Sequence, residues 1–186
     1  MQKSAKPRRP DYLPGHYYHI YNRGASRTSI FLEPDNYIFV IRKMKKYSQE
    51  LNPTLIAYRL MPNHYHFLIR QNGEPTVGLL AQRVFNSYSK AYNKRFERTG
   101  TLFEGPYQVI HIEEESHLLH LCRYIHANPV KDGLVAQLEE WPYPNYPEWM
   151  ELRPGTLVDR EFVRSYFPTP EMYKSFVWAY LKESQI

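Results

Sequence analysis

TLIAYRLMPNHYHFLIR, residues 54–70, reads as two strands and the tight connection between them. TLIAYRL (54–60) and HYHFLIR (64–70) are rich in β-branched and aromatic residues, and Met61-Pro62-Asn63 supplies the turn chemistry. Side chains alternate along a strand, so His64 and His66 project from one face while Tyr65, Phe67 and Ile69 take the other. The two histidines then stand roughly 6–7 Å apart along the chain. Two imidazoles converging from one strand suit a metal ion if a third ligand arrives from elsewhere. The plainer reading is two polar residues on a hairpin strand, and the hairpin alone does not choose between them.

Outward from this hairpin the pattern is regular. HYYHIYN (16–22) is an aromatic-rich strand running into Arg23-Gly24. Pro34-Asp35 opens a helical stretch carrying Tyr37, Val40, Ile41 and Met44, which Asn52-Pro53 stops. After Asn72-Gly73, Val77, Leu80, Val84, Tyr88, Tyr92 and Phe96 follow helical spacing up to Thr99-Gly100. A second row of the same period, Arg83, Ser87, Lys90, Lys94 and Arg98, makes one flank of that helix basic. YQVIHI (107–112) is a strand, and the acids 113–115 open a helix expected to end at Asn128, before Pro129.

The order β-α-β-β-α-β is the split βαβ arrangement, so an α+β, ferredoxin-like fold is expected, with a four-stranded antiparallel sheet and helices on one face. The seventh element is a further helix. From Trp141 onward, WPYPNYPEWMELRPG looks too proline-rich for regular elements, and Thr169-Pro170 starts a last helix with Tyr173, Val177, Tyr180 and Leu181 on its apolar stripe. The expected organisation is a basic flexible arm at 1–15, a domain at 16–136, and an extension at 137–186 packed on it.

Composition excludes several classes. With 42% apolar residues and 16% aromatics, among them 17 tyrosines, the chain is neither disordered nor fibrous. It contains no apolar run long enough to span a bilayer and no apolar leader, so a cytoplasmic protein without membrane contact is expected. A single cysteine rules out a disulfide framework and a cysteine-rich zinc site. The net charge of +5 favours a polyanionic partner. Lys3, Lys6, Arg8 and Arg9 stand in the first ten residues without an acid among them.

On the helix after the last strand, His117, His120, Tyr124 and Asn128 lie along one face, beside an apolar stripe of Leu118, Leu121, Cys122 and Ile125. Taken alone, Tyr124 reads as a tyrosine at a core margin and Asn128 as a helix cap.

Together the segments resemble a known family. MPNHYH (61–66) followed by RYIHANPVKDGLV (123–135), with HIYNRG (19–24) and GTLFEGPYQVIHI (100–112) in the corresponding places, is similar to the single-tyrosine HUH transposases. These comprise insertion-sequence transposases and the REP-associated tyrosine transposases, and the resemblance spans roughly residues 12–135. It implies that His64, His66 and Asn128 hold Mg²⁺ or Mn²⁺, and that Tyr124 is the nucleophile. It further implies cleavage of single-stranded DNA bearing a hairpin or palindrome through a covalent 5′-phosphotyrosine, by a monomer or a homodimer. Pro106 departs from the family, standing where many relatives carry arginine. A protonated tyrosine is a poor nucleophile, and His120, one turn before Tyr124, is the candidate proton acceptor. Arg23, Arg83, Lys90 and Lys94 are the candidate DNA contacts. The rival reading is a noncatalytic ferredoxin-like nucleic-acid-binding module, which accounts for the charge and the tyrosines but not for these four site residues together. A rolling-circle initiator or relaxase, generally longer and with its tyrosine placed differently, ranks below both.

Overall fold

A computed structural model describes residues 10–183. Lys3, Lys6, Arg8 and Arg9 of the expected arm lie outside the described residues. Strand β1 (Tyr17–Arg23) leads to helix α1 (Pro34–Leu51), then to β2 (Thr54–Met61) and β3 (His64–Arg70). Helix α2 (Val77–Arg95), strand β4 (Gln108–Ile112) and helix α3 (Glu115–Lys131) follow. The four strands form one antiparallel sheet in the order β2-β3-β1-β4, the split βαβ topology.

Local chemistry sets the boundaries. α1 starts with Pro34 in its first turn and a reciprocal pairing between Glu33 and Asn36, and it ends where Asn52 takes a left-handed φ of 53°. The connection between β2 and β3 is tied down from outside, because Ile30 N and Phe31 N both donate to Pro62 O, at 2.7 and 3.0 Å. Gly24 N donates to Asn63 O at 2.8 Å. A Cβ at Gly24 would collide with the Thr28 carbonyl, so only glycine fits where β1 ends.

Helices α1 and α2 cover one face of the sheet. Tyr65, Phe67 and Ile69 of β3 point into that layer together with Tyr18 and Ile20 of β1. The opposite face is covered too, by α3 and the segment after it, around Ile56, Ala57, Leu68, Cys122 and Ile125. This double layer is why Leu55–Met61 of β2 is buried without interruption.

The proline-rich segment is more ordered than its composition suggests. Residues 143–145 run along the outer edge of β2, where Leu60 N donates to Tyr143 O and Asn145 N to Tyr58 O, both at 3.3 Å. This covers a strand edge that would otherwise present unpaired backbone groups. The Asn145 side chain, fully buried, accepts from Tyr58 N at 2.8 Å and donates to Ile56 O at 2.8 Å and Leu157 O at 3.1 Å. A one-turn helix α4 (Tyr146–Trp149) forms inside the proline-rich stretch, against the expectation from its composition, and a short α5 (Arg160–Tyr166) follows it. The final helix α6 (Pro170–Glu183) buries the expected stripe of Tyr173, Val177, Tyr180 and Leu181.

α3 also differs from the sequence expectation, because it passes through Pro129 to Lys131 instead of ending at Asn128. Proline removes only its own N–H, and the next turn still closes: Asp132 N donates to Asn128 O at 2.8 Å and Leu134 N to Pro129 O at 2.9 Å. Asn128 is therefore an interior helical residue with its side chain turned into the protein, not a cap.

Candidate active site

The two-residue period of the sheet assembles the site. Cross-strand register pairs Arg59 with His66 and His66 with Tyr21, and pairs Met61 with His64 and His64 with Arg23. All of these share the face that looks toward α3, as does His19, two residues before Tyr21. Tyr65 lies on the other face, 1% exposed and stacked on Phe85 with ring centroids 3.7 Å apart.

The two histidines stand edge to face, with ring centroids 5.3 Å apart. Each has its Nδ1 engaged: His64 Nδ1 meets Asn63 Oδ1 at 2.7 Å, and His66 Nδ1 meets His19 Nε2 at 2.7 Å. An amide oxygen can only accept, so His64 Nδ1 carries the proton and Nε2 carries the lone pair. That assignment agrees with the Arg59 Nη2 group, an obligate donor, lying 3.4 Å from His64 Nε2. Partners on the far nitrogen are what orient imidazole ligands toward a metal ion. Burial, and then the nearby Arg59 charge, push His64 down from 6.5 to about 4. Burial and Arg59 also hold His19 at about 3, with His117 adding to the shift. Burial lowers His66 as well. All three are thus neutral near pH 7, the form in which imidazole ligates metal.

α3 brings the tyrosine. The Tyr124 ring packs edge-on against His66, centroids 5.8 Å apart. Arg59 lies across its face, with the guanidinium carbon 4.7 Å from the ring centroid. One turn later, Asn128 is 5% exposed and its Oδ1 has no hydrogen-bond partner. A buried acceptor without a partner costs on the order of 1–3 kcal/mol. Among the described residues no group of three or more His, Cys, Asp or Glu side chains is placed to hold a metal ion. The neutral imidazoles of His64 and His66 and the orphaned Oδ1 of Asn128 are nitrogen and oxygen donors of the types that a divalent cation takes. The histidines open onto a cleft of about 630 Å³, lined also by Tyr21, Asn22, Arg23 and Asp132.

A profile of the IS200-like transposases matches residues 13–128, a span that contains both histidines, Tyr124 and Asn128. The chain belongs to the IS200-like transposase family. No curated protein sequence matches it. Among solved structures it is similar to a REP-associated tyrosine transposase bound to a REP hairpin, at 18% identity and a TM-score of 0.67, over 83% of this chain and 94% of that one. A candidate transposase from Deinococcus radiodurans aligns at 15% identity and a TM-score of 0.45, over 67% of this chain and 95% of that one. The likeness to the first, at 18% identity, bears on the fold alone.

The other residues singled out in this IS200-like transposase fall in different places. Arg23 sits at the cleft, exposed, in an ion pair with Glu104. Arg83, Lys90 and Lys94 lie exposed on α2, across the sheet from the histidines, and Arg83 faces Glu50 of α1 at 3.4 Å. His120 is exposed, with its Nδ1 3.3 Å from Arg123 and its ring edge-on to the Tyr180 ring of α6. Sequence reasoning missed Arg59, Asn63 and His19 as part of the site. His19 shares a strand face with Arg23 by the two-residue period, and Asn63 is the turn residue next to His64, so a local signal existed for both. Nothing in the sequence marked Arg59, because its partner Tyr124 is 65 positions away. Among the described residues no helix is long and apolar enough to cross a membrane.

Proposed function

We propose that this IS200-like transposase is a metal-dependent endonuclease and strand transferase acting on single-stranded DNA, with Tyr124 as its nucleophile. The reading is carried by one juxtaposition: Tyr124 packs against His66, one of two neutral imidazoles that meet edge to face, and Asn128 one helical turn later carries an unpartnered Oδ1. A divalent ion, Mg²⁺ or Mn²⁺, held by His64, His66 and Asn128 would polarise the scissile phosphate and orient it. The Tyr124 oxygen attacks phosphorus in line, a P–O bond to tyrosine forms, and the P–O3′ bond breaks. The phenol proton is lost to solvent or a nearby base, and the leaving oxygen takes a proton to become a free 3′-OH. The 5′-phosphotyrosine keeps the energy of the phosphodiester, so a second 3′-OH can reverse the step and join strands without ATP.

The open cleft beside the histidines suits a flexible single strand, and its tyrosine and polar lining suits unpaired bases. Hairpin-bearing DNA is the substrate class we favour, because the structurally similar REP-associated transposase is bound to such a hairpin. Arg23 would contact the strand at the cleft, and Arg83, Lys90 and Lys94 would reach only DNA that extends round to the α2 face. On this reading the chain divides into a basic flexible arm at 1–15, the catalytic domain at 16–136, and an extension at 137–186 whose residues 143–145 cover the β2 edge.

The test is incubation of the protein and Mn²⁺ with single strands carrying a hairpin, labelled at the 5′ or the 3′ end. An SDS-stable protein–DNA species that keeps only the 3′ label is expected. Binding without any such species supports the noncatalytic nucleic-acid-binding module instead.

A further inference from the structure

Arg59 is a fully buried arginine on β2. Nη1 donates to the Tyr124 carbonyl oxygen at 3.2 Å, and Nη2 lies 3.3 Å from the Tyr124 hydroxyl and 3.4 Å from His64 Nε2. Its Nε has no partner, so the side chain is held by the tyrosine and the histidine together. No carboxylate is within ion-pair distance of it among the described residues. A buried, uncompensated guanidinium is costly, which makes its position informative.

Two consequences follow from those contacts. The two terminal nitrogens grip the backbone and the hydroxyl of one residue, which fixes the Tyr124 side chain relative to α3 and restricts the direction of its oxygen. The same Nη2 occupies the lone pair of His64 Nε2, the atom this site would offer to a cation. A positive charge so close to a donor atom opposes a second cation on that atom.

We propose that Arg59 is a positioning residue with a double effect: it holds the Tyr124 oxygen for attack, and it competes with the divalent ion for His64 Nε2. The inference rests on Tyr124 as nucleophile and His64 as metal ligand. Arg59 thereby weakens metal binding while it supports the reaction, so its removal moves the two quantities in opposite directions. A side chain that merely supported the fold would move both the same way, toward loss.

The experiment uses the full chain and compares wild type with Arg59→Met, which keeps length and loses charge. Mn²⁺ affinity is read by electron paramagnetic resonance without DNA, and adduct formation by single-turnover kinetics at saturating Mn²⁺. Arg59→Met is expected to bind Mn²⁺ about tenfold more tightly. Its adduct should form about ten- to a hundredfold more slowly. Arg59→Lys, which keeps the charge but cannot grip two oxygens, should bind Mn²⁺ like wild type and still react slowly. Unchanged or weaker Mn²⁺ affinity in a folded Arg59→Met protein overturns the inference. A second measurement needs no variant. In ¹⁵N-arginine-labelled wild type the Arg59 guanidinium resonances should shift as Mg²⁺ saturates the site, and resonances that do not move overturn the inference as well. A wild type that neither binds Mn²⁺ nor forms an adduct overturns the functional reading, and this inference with it. A wild type that does both while Arg59→Met changes neither overturns this inference alone.

Discussion

His66 Nδ1 lies 2.7 Å from His19 Nε2, and the two rings stack at 5.0 Å across β1 and β3. This contact engages Nδ1 of His66 and orients a ring that lines the cleft. Outer partners of metal-binding histidines typically carry ten- to a hundredfold in metal affinity. His19→Ala is therefore expected to weaken Mn²⁺ binding by at least about tenfold with the circular dichroism spectrum unchanged. Isothermal titration checks this, and an unaltered affinity would remove His19 from the site.

Tyr65, between the two histidines in sequence, is expected to take no part in the chemistry. Its ring belongs to the α1 and α2 layer, against Phe85. Tyr65→Phe should form the covalent adduct at the wild-type rate in a single-turnover assay, and a large loss would contradict the assignment of faces.

The Asn145 clamp predicts a large stability effect far from the cleft. Its Oδ1 accepts from Tyr58 N at 2.8 Å and from His126 Nε2 at 2.9 Å, while its Nδ2 serves two carbonyls. Because Oδ1 only accepts, His126 donates through Nε2, and Tyr173 OH donates to His126 Nδ1 at 2.6 Å. Asn145→Ala leaves several buried groups without partners and should cost about 2–4 kcal/mol. Denaturant unfolding measures this, and a loss below about 1 kcal/mol would show that water satisfies those groups.

These chain contacts show what could be read from sequence and what could not. The hairpin at 54–70 was legible because its period, its β-branched residues and its Pro62-Asn63 turn agree with one another. The seam of Tyr173, Val177, Tyr180 and Leu181 was legible for the same reason. α4 and the clamp were not, since Pro142, Pro144 and Pro147 argue against regular structure, and Asn145 gains its meaning only from a strand edge 87 residues earlier. The passage of α3 through Pro129 was hidden because a local rule, that proline ends helices, yields here to packing of the following turn. The near-continuous apolar run of β2 did carry a sign of burial on both faces, and Arg59 within it is the residue that rule would never have placed inside.

Stability should depend on pH through the buried histidines. Burial lowers His126 to about 3, where its bond to Asn145 opposes the shift and the Arg59 charge adds to it. His19 stands at about 3 and His64 at about 4, both through burial first. The unfolded chain binds protons on these rings near pH 6.5 and the folded chain does not, so stability present at pH 7 is lost as pH falls toward 4. Each ring contributes at most about 1.4 kcal/mol per pH unit in that window. The urea midpoint should be lower at pH 5 than at pH 7, and a midpoint that holds or rises would mean that these rings are not buried as neutral groups.

On the reading proposed above, one tyrosine among 17, Tyr124, carries the DNA. The most direct measurement is tandem mass spectrometry of the nuclease-trimmed adduct formed with a hairpin-bearing single strand and Mn²⁺. A nucleotide linked through a 5′-phosphate to Tyr124 is expected, and no adduct from Tyr124→Phe. A Tyr124→Phe protein that still forms the adduct, or a nucleotide found on another tyrosine, would contradict it.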